Sequence, residues 1–346
     1  MRIAQIAPLY ERVPPGRYGG TERVIANLAD GLVARGHDVT LFAAAGSRTS
    51  ARLVPVAPLP LWHDARIRDR VAPHVRLHAE VFRRAHEFDL IHNHNDYFAF
   101  PYLATSPAPV VTTMHGRCDL PELHAVIDAF PDAALVAISR AQQACLPNAN
   151  WVGCVYHGLR IDRIPFDPHG GEGLVFIGRM SPEKAPHVAI DVAIEAGLPL
   201  VMAARIDAQD REFFEREVKP RLDHPLVRYV GQVDDAEKAR LLGSARALIL
   251  PIDWPEPFGL VMIEAMACGT PVVTRPVGSA PELVVQGVTG FLAEDLAGLV
   301  AGVRAAASLD RAACRRHVES RFSVTGMVEG YERIYRSMLG GRRATA

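Results

Sequence analysis

The sequence predicts an α/β protein of two domains, each built on a doubly wound parallel sheet, facing each other across a cleft. Three observations predict this. Short apolar runs alternate with helical patterns, which is how strands covered by helices on both faces read. A Pro- and Gly-rich stretch, IDRIPFDPHGGEG at residues 161–173, interrupts the alternation like a linker, and the pattern then restarts. The chain has 346 residues, enough for two domains of about 100–200 residues each. The expected division is an N-terminal domain at 1–162, a second domain at 163–323, and a terminal helix with tail at 324–346 that crosses back to the first.

The elements follow in order. Residues 2–8 (RIAQIAP) read as a strand and 9–19 as a Pro/Gly loop. From Gly20, Val24, Ile25, Leu28, Leu32 and Val33 recur at helical steps, and the pattern stops at Arg35-Gly36-His37. DVTLFA at 38–43 is the next strand, completing a βαβ unit. Further strands are expected at 89–92, 109–115 and 134–139. After the break come a strand at 174–179, a helix at 184–196, and strands at 198–203, 227–230, 247–250, 271–274 and 291–293. The last helix, at 324–338, carries Met327, Tyr331, Ile334, Tyr335 and Met338, and the closing GGRRATA is expected to fray.

Composition narrows the function. Lys and Arg number 38 against 39 Asp and Glu, a formal net charge of −1, which argues against a broad basic surface and against a nucleic-acid partner. No apolar run reaches the ~18 residues of a membrane span. MRIAQIAPLY enters a strand pattern directly without a signal-type apolar region, so a cytoplasmic location is expected. The five cysteines form no CxxC pair, and each is expected to be a small buried residue. Residues 48–88 hold eight arginines but also four acids and four histidines, with Val75, Leu77, Val81 and Phe82 as an apolar stripe. That segment reads as a solvated helix face or as a site of peripheral membrane contact.

In doubly wound sheets, ligands bind beyond the carboxyl ends of the strands. That rule selects four places: the Gly19-Gly20 loop, the turn after His115, the turn after Arg179 and the turn before Phe258. Arg179 ends a strand and Lys184 opens a helix, so two cations can serve one polyanion beside helix N–H donors. An ordinary surface ion pair with Glu183 is the alternative. Glu256 precedes, and Glu264 lies inside, a helix whose sequence GLVMIEAMAC is apolar on every side. A carboxylate there needs a partner, either ligand hydroxyls or a cation from a neighbouring helix. The leading amides at Phe258, Gly259 and Leu260 are donors for an anion. His92-x-His94-x-Asp96 places alternate side chains on one strand face. No metal is expected there, and His94 or Asp96 lining an acceptor site is the better reading.

These residues carry a resemblance. Glu256 to Glu264 is the E-x7-E pattern of the retaining glycosyltransferases of family 4, and WPEPFGLVMIEAMACGTPVV resembles that family's C-terminal signature. FIGRMSPEKAPHVAI, YGGTERVIANLADGLVARGHDVTLFA and AISRAQQ resemble its other motifs, in order, over about residues 1–338. The resemblance implies a GT-B fold, two Rossmann-like domains with a nucleotide-sugar donor on the second and the acceptor on the first. It implies that Arg179, Lys184 and the amides of Phe258, Gly259 and Leu260 hold the donor diphosphate, with Gly20 and Gly19 approaching from the other domain. Glu264 would take the ribose hydroxyls and Glu256 the transferred sugar. His115, at the end of VVTTMH, matches the family's active-site histidine. No cofactor or metal is implied, in line with the absence of Asp-x-Asp from the sequence.

Two departures stand out. Many members have Asn-Gly-(Val/Ile)-Asp where this chain has His157-Gly158-Leu159-Arg160, and the usual Pro-Ser before Glu256 is Pro251-Ile252-Asp253-Trp254-Pro255. Asp253 either touches the donor or caps the turn. The leading functional reading is a retaining hexosyltransferase using a nucleotide-diphosphate sugar, with the acceptor unidentified among glycans, lipids and small molecules. The alternatives are a GT-B protein of other reaction type, such as an epimerase or phosphorylase, or an inactive nucleotide-sugar-binding subunit.

Overall fold

A computed structural model of the chain describes residues 1–16 and 19–343. The chain forms two compact units, Met1–Leu159 with the helix from Val324, and Arg160–Ser323.

The first unit holds seven strands, β1 (Arg2–Ile6), β2 (Asp38–Ala44), β3 (Arg52–Ala57), β4 (Leu90–Asn93), β5 (Val110–Thr113), β6 (Ala134–Ala137) and β7 (Trp151–Cys154). They form one sheet in the order β3-β2-β1-β4-β5-β6-β7. Every pairing is parallel. The order reverses between β1 and β4, so the ends of these two strands flank the switch point where such sheets place ligands. Helices α1 (Gly20–Ala34), α2 (Val71–Arg83), α3 (Pro121–Ala129) and α4 (Arg140–Ala144) connect the strands.

The second unit repeats the plan. Strands β8 (Leu174–Arg179), β9 (Leu200–Arg205), β10 (Val227–Gly231), β11 (Ala247–Leu250), β12 (Val272–Thr274) and β13 (Gly290–Leu292) order as β10-β9-β8-β11-β12-β13. They too pair in parallel throughout. Its helices are α5 (Pro186–Ala196), the short α6 (Arg211–Phe213), α7 (Asp235–Gly243), α8 (Leu260–Ala267), α9 (Ala280–Leu283), α10 (Leu296–Ala305) and α11 (Arg311–Arg321). Phe176, Met202, Leu248 and Val273 are fully buried in this sheet. Two Rossmann-like α/β units are what the alternating pattern predicts.

The last helix, α12 (Val324–Arg343), packs within the first unit. A Cβ on Gly31 of α1 would come within 2.6 Å of Val328, so only glycine lets the two helices approach this closely. Glu332 is buried and accepts two hydrogen bonds from Arg35, each 2.9 Å, and one of 2.8 Å from His37. These bonds, the Arg35 pair foremost, hold its carboxyl down at about 2. Tyr331 and Tyr335 are fully buried.

Several expectations need correcting. The Pro/Gly stretch is not a loose linker: Arg315 donates to the carbonyls of Ile161 and Ile164, and the Asp167 N–H to that of Cys268, so it lies pinned on the second unit. Helix α5 begins at Pro186 rather than 184, after a separate 3-10 turn at Pro182–Lys184. Helix α12 continues past Met338 and through Gly340 to Arg343; the remainder of the tail expected to fray, residues 344–346, lies outside the described residues. On α2 the buried stripe is His74, Leu77, His78 and Val81, while Val75 is exposed. Cys118, Cys268 and Cys314 are buried, but Cys154 is exposed on the edge strand β7. Among the described residues, no helix is long and apolar enough to cross a membrane, and no group of three or more His, Cys, Asp or Glu could hold a metal ion.

Candidate functional site

In the second unit, the sequence-selected residues gather at the C-terminal ends of β8 and β11, the strands flanking its switch point. Arg179 is the last residue of β8. Its guanidinium faces three carboxylates, Asp210 at 3.6 Å, Asp207 at 3.9 Å and Glu183 at 4.0 Å. These are ion pairs beyond hydrogen-bond length. Asp210 has its carboxyl pushed up by burial, with Arg179 pulling it back.

Lys184 closes the 3-10 turn, and Ala185 adopts a left-handed φ of 47° that swings the chain into α5. The Lys184 ammonium pairs with the Glu256 carboxylate and lies 5.5 Å from the centre of the Trp254 ring. Glu256 is itself buried. Its loop is held by Ser279, whose N–H donates to the Glu256 carbonyl at 2.9 Å and whose hydroxyl donates to the Phe258 carbonyl at 2.6 Å. Gly278 makes this contact possible: a Cβ there would sit 2.3 Å from the Glu256 nitrogen and 2.5 Å from its oxygen. The Asp253 N–H donates to the Glu183 carbonyl at 2.8 Å, tying this loop to the one that bears Lys184. The Asp253 side chain is mostly exposed and pairs with Arg275 at 3.0 Å.

Helix α8 starts after Gly259, which takes a left-handed φ of 82° and supplies no side-chain cap. The leading turn at Gly259 and Leu260 therefore keeps the character of an uncapped amide terminus. Glu264 is buried four residues into this helix. The sequence left its partner open between ligand hydroxyls and a cation from elsewhere. The structure supplies the cation: Lys238, on α7, reaches the Glu264 carboxylate at 2.7 Å. Lys238 is the site residue the sequence missed. Within DDAEKARLL it reads as the partner of Asp235, one turn away, and that second pairing does form at 3.5 Å.

In the first unit, Gly19 and Gly20 open α1, and Gly19, at φ 149°, offers no side-chain cap. Glu22, in the first turn, is buried, and burial lifts its carboxyl to about 7. His94 follows β4 and His115 follows β5. The two imidazoles are joined, His94 Nδ1 to His115 Nε2 at 2.9 Å, and His115 stacks on His157 with ring centres 5.3 Å apart. Burial pushes His115 down to about 3, and His92, His94 and His157 well below the ordinary imidazole value, so all four are neutral. Asp96 takes a left-handed φ of 44°, and burial lifts its carboxyl to about 6. The unusual His157-Gly158-Leu159 segment meets α12, with the Gly158 N–H on the Met327 sulfur at 3.2 Å and the Val324 N–H on the Leu159 carbonyl at 3.2 Å.

Known proteins share this plan. The family model for Glycosyltransferase Family 4 matches residues 18–161, and that for Glycosyl transferases group 1 matches residues 161–313. A glycogen synthase of Mycobacterium tuberculosis is 28% identical, with 99% of this chain and 96% of the relative covered. A phosphatidyl-myo-inositol mannosyltransferase of Mycobacterium leprae is 27% identical over 84% of this chain and 83% of its own length. Among solved structures, AviGT4, a glycosyltransferase involved in avilamycin A biosynthesis, superposes with a TM-score of 0.76 at 25% identity, covering 98% of each chain.

Proposed function

We propose that this chain, a glycosyltransferase of the GT-B fold, is a retaining, metal-independent enzyme that moves a hexose-type sugar from a nucleotide-diphosphate sugar to an acceptor hydroxyl. The observation that supports the reading is the charge pairing on the segments that follow β8 and β11: Arg179 facing Asp210, Lys184 with Glu256, and Glu264 with Lys238.

In this reading Arg179 and Lys184 bind the diphosphate. Arg179 has N–H donors to give, because among the described residues its guanidinium makes ion pairs of 3.6–4.0 Å and no shorter bond. The amides of Phe258, Gly259 and Leu260 add donors from the start of α8, and the Gly19-Gly20 loop, at the start of α1, is a candidate for a phosphate contact. Charge accumulates on the diphosphate as its bond to the sugar breaks, so fixed cations and amides act most strongly in the transition state. Glu264, with Lys238 as counter-ion, accepts the ribose hydroxyls. Glu256 accepts hydroxyls of the transferred sugar, its charge balanced by Lys184. His115 hydrogen-bonds a sugar hydroxyl, and His94, Asp96 and Asp253 are candidates for further substrate contacts. The curated relatives named above act on different acceptors by their names, and the acceptor here is left as a hydroxyl compound of unspecified class.

The test is a thermal-shift panel of UDP, GDP and ADP and their hexose conjugates, followed by NMR of the product's anomeric configuration. One nucleotide should raise the transition temperature, as any ligand selective for the folded state does. Glu264→Ala should abolish that shift, and Arg179→Ala with Lys184→Ala should collapse turnover. An inverted product would refute retention, and near-normal turnover in the double variant would refute the diphosphate assignment.

A further inference from the structure

The first unit contains a buried polar network of which the proposed function uses only His94. Gln5 on β1, His92 and His94 at the end of β4, Thr113 at the end of β5, and Tyr331 and Tyr335 on α12 are linked side chain to side chain. Each of these side chains is fully or almost fully buried. With every imidazole neutral, each ring has one donor and one acceptor nitrogen, and the partners decide which is which.

The assignment starts at Gln5. Its amide nitrogen donates to the Tyr335 hydroxyl at 3.3 Å. The same amide nitrogen, which can only donate, lies 3.4 Å from His92 Nδ1, so Nδ1 accepts, from it and from the Tyr335 hydroxyl at 2.7 Å; the His92 proton then resides on Nε2, which donates to Thr113 Oγ1 at 2.7 Å. The Gln5 carbonyl oxygen can only accept, and it lies 2.5 Å from His94 Nε2. His94 therefore carries its proton on Nε2 and presents a bare Nδ1. His115 Nε2 lies 2.9 Å from that Nδ1 and must be the donor. The remaining nitrogen, His115 Nδ1, is left as a lone pair. It is buried and has no hydrogen-bond partner among the described residues.

We propose that Gln5 and His94 are positioning residues that fix His115 as its Nε2–H tautomer, so that Nδ1 is held as a hydrogen-bond acceptor for a substrate hydroxyl. A buried acceptor without a donor is costly, of the order of 1–3 kcal/mol, and a hydroxyl relieves that cost. A phosphate oxygen does not, since it brings lone pairs toward a lone pair. The network thereby selects between the two groups a nucleotide sugar could offer His115, and selects the sugar. That last step rests on the function proposed above; the tautomer itself does not.

The experiment uses ligand-free full-length protein with 15N-labelled histidine. Two-bond 15N–1H correlation reads which ring nitrogen carries the proton, and His115 is assigned from the signal lost in His115→Gln. The expected form is Nε2–H. His94→Asn places its amide oxygen where Nδ1 was and still accepts from His115, so the Nε2–H form should persist. His94→Leu and Gln5→Met remove the acceptor chain. Both should give His115 a mixture of tautomers and at least a tenfold loss in kcat, while nucleoside diphosphate binding in the thermal-shift panel is retained. An Nδ1–H form in the parent would overturn the proposal, and so would an unaltered Nε2–H form in His94→Leu. A protein that shows the Nε2–H form but transfers no sugar would sink the glycosyl-transfer reading and leave the tautomer assignment standing.

Discussion

Glu22 gives a prediction whose size follows from the structure. It lies in the first turn of α1 beneath the glycine loop, with its Oε2 2.8 Å from where a Cβ on Gly19 would stand. Burial lifts its carboxyl from 4.5 to about 7, against the lowering effects of its own backbone N–H and of Arg23. The folded chain therefore holds a proton that the unfolded chain gives up near pH 4.5. Stability from this group is complete below pH 4.5, declines as pH rises toward 7, and stays at its lower level above 7. A shift of that size corresponds to roughly 3 kcal/mol, at about 1.4 kcal/mol per pH unit. Glu22→Gln has no charge to bury, so its stability relative to the parent should rise between pH 4.5 and 7 by up to about 3 kcal/mol and then level off. The assay is urea denaturation at pH 5, 6, 7 and 8 in a Trp254→Phe background. That leaves Trp62 and Trp151 as reporters, both in the first unit. A parent-to-variant difference that is the same at pH 5 and pH 8 would refute the reasoning, because it would mean that Glu22 titrates alike in both states.

Three further outcomes are expected. Lys238→Met should weaken nucleoside diphosphate binding at least fivefold by isothermal titration, with Lys238→Arg recovering most of it, because Glu264 is left without its 2.7 Å counter-ion. Gly278→Ala should displace the Glu256 loop, since the new methyl would meet backbone atoms at 2.3 and 2.5 Å; donor turnover should fall more than tenfold while the circular dichroism of the sheets is kept. Glu332→Gln should loosen α12 and lower stability near neutral pH by up to about 3 kcal/mol. The Glu332 carboxyl is depressed to about 2, so that contribution is present above pH 4.5 and disappears as pH falls through about 2. Denaturation of the two proteins at pH 7 and pH 2.5 should thus show a gap that narrows with acid.

The central strands are legible in the sequence, and so are the edges of the second sheet, β10 and β13; the edges of the first sheet are not. β8, β11 and β12 are nearly continuous apolar runs, buried on both faces at the middle of the second sheet. β3 and β7 are the two edges of the first sheet. β3 contains Pro55, β7 contains Gly153, and both have exposed positions, which removes the apolar run that marks a strand. On α2 the sequence hid part of the buried face, because His74 and His78 do the work of apolar residues. Their Nδ1 atoms donate to the carbonyls of Arg70 and His74, at 2.7 and 2.8 Å, so each ring is buried with a polar atom already satisfied. Local pattern places Arg179 at the end of β8, Lys184 and Glu256 on the loops that follow strands, and Glu264 inside an apolar helix. It does not place their partners. Lys238 lies 26 residues from Glu264 and Lys184 lies 72 from Glu256, and only the sheet order brings them together.

Those pairings change how the candidate site should behave. A bare pair of cations would bind any diphosphate tightly, substrate and product alike, and tight product binding slows turnover. Here Lys184 is matched by Glu256, Lys238 by Glu264, and Arg179 by three carboxylates at 3.6–4.0 Å. In the proposed site a diphosphate would compete with those carboxylates, which would reduce its ground-state affinity. The competition weakens as negative charge builds on the departing diphosphate, because the stronger the charge, the more completely it draws the cations from their internal partners. In the proposed function the arrangement would therefore favour the transition state over the bound donor. In that reading the acids around Arg179, at 3.6–4.0 Å, are near enough to orient the guanidinium at the end of β8 and far enough to leave its N–H donors for the diphosphate.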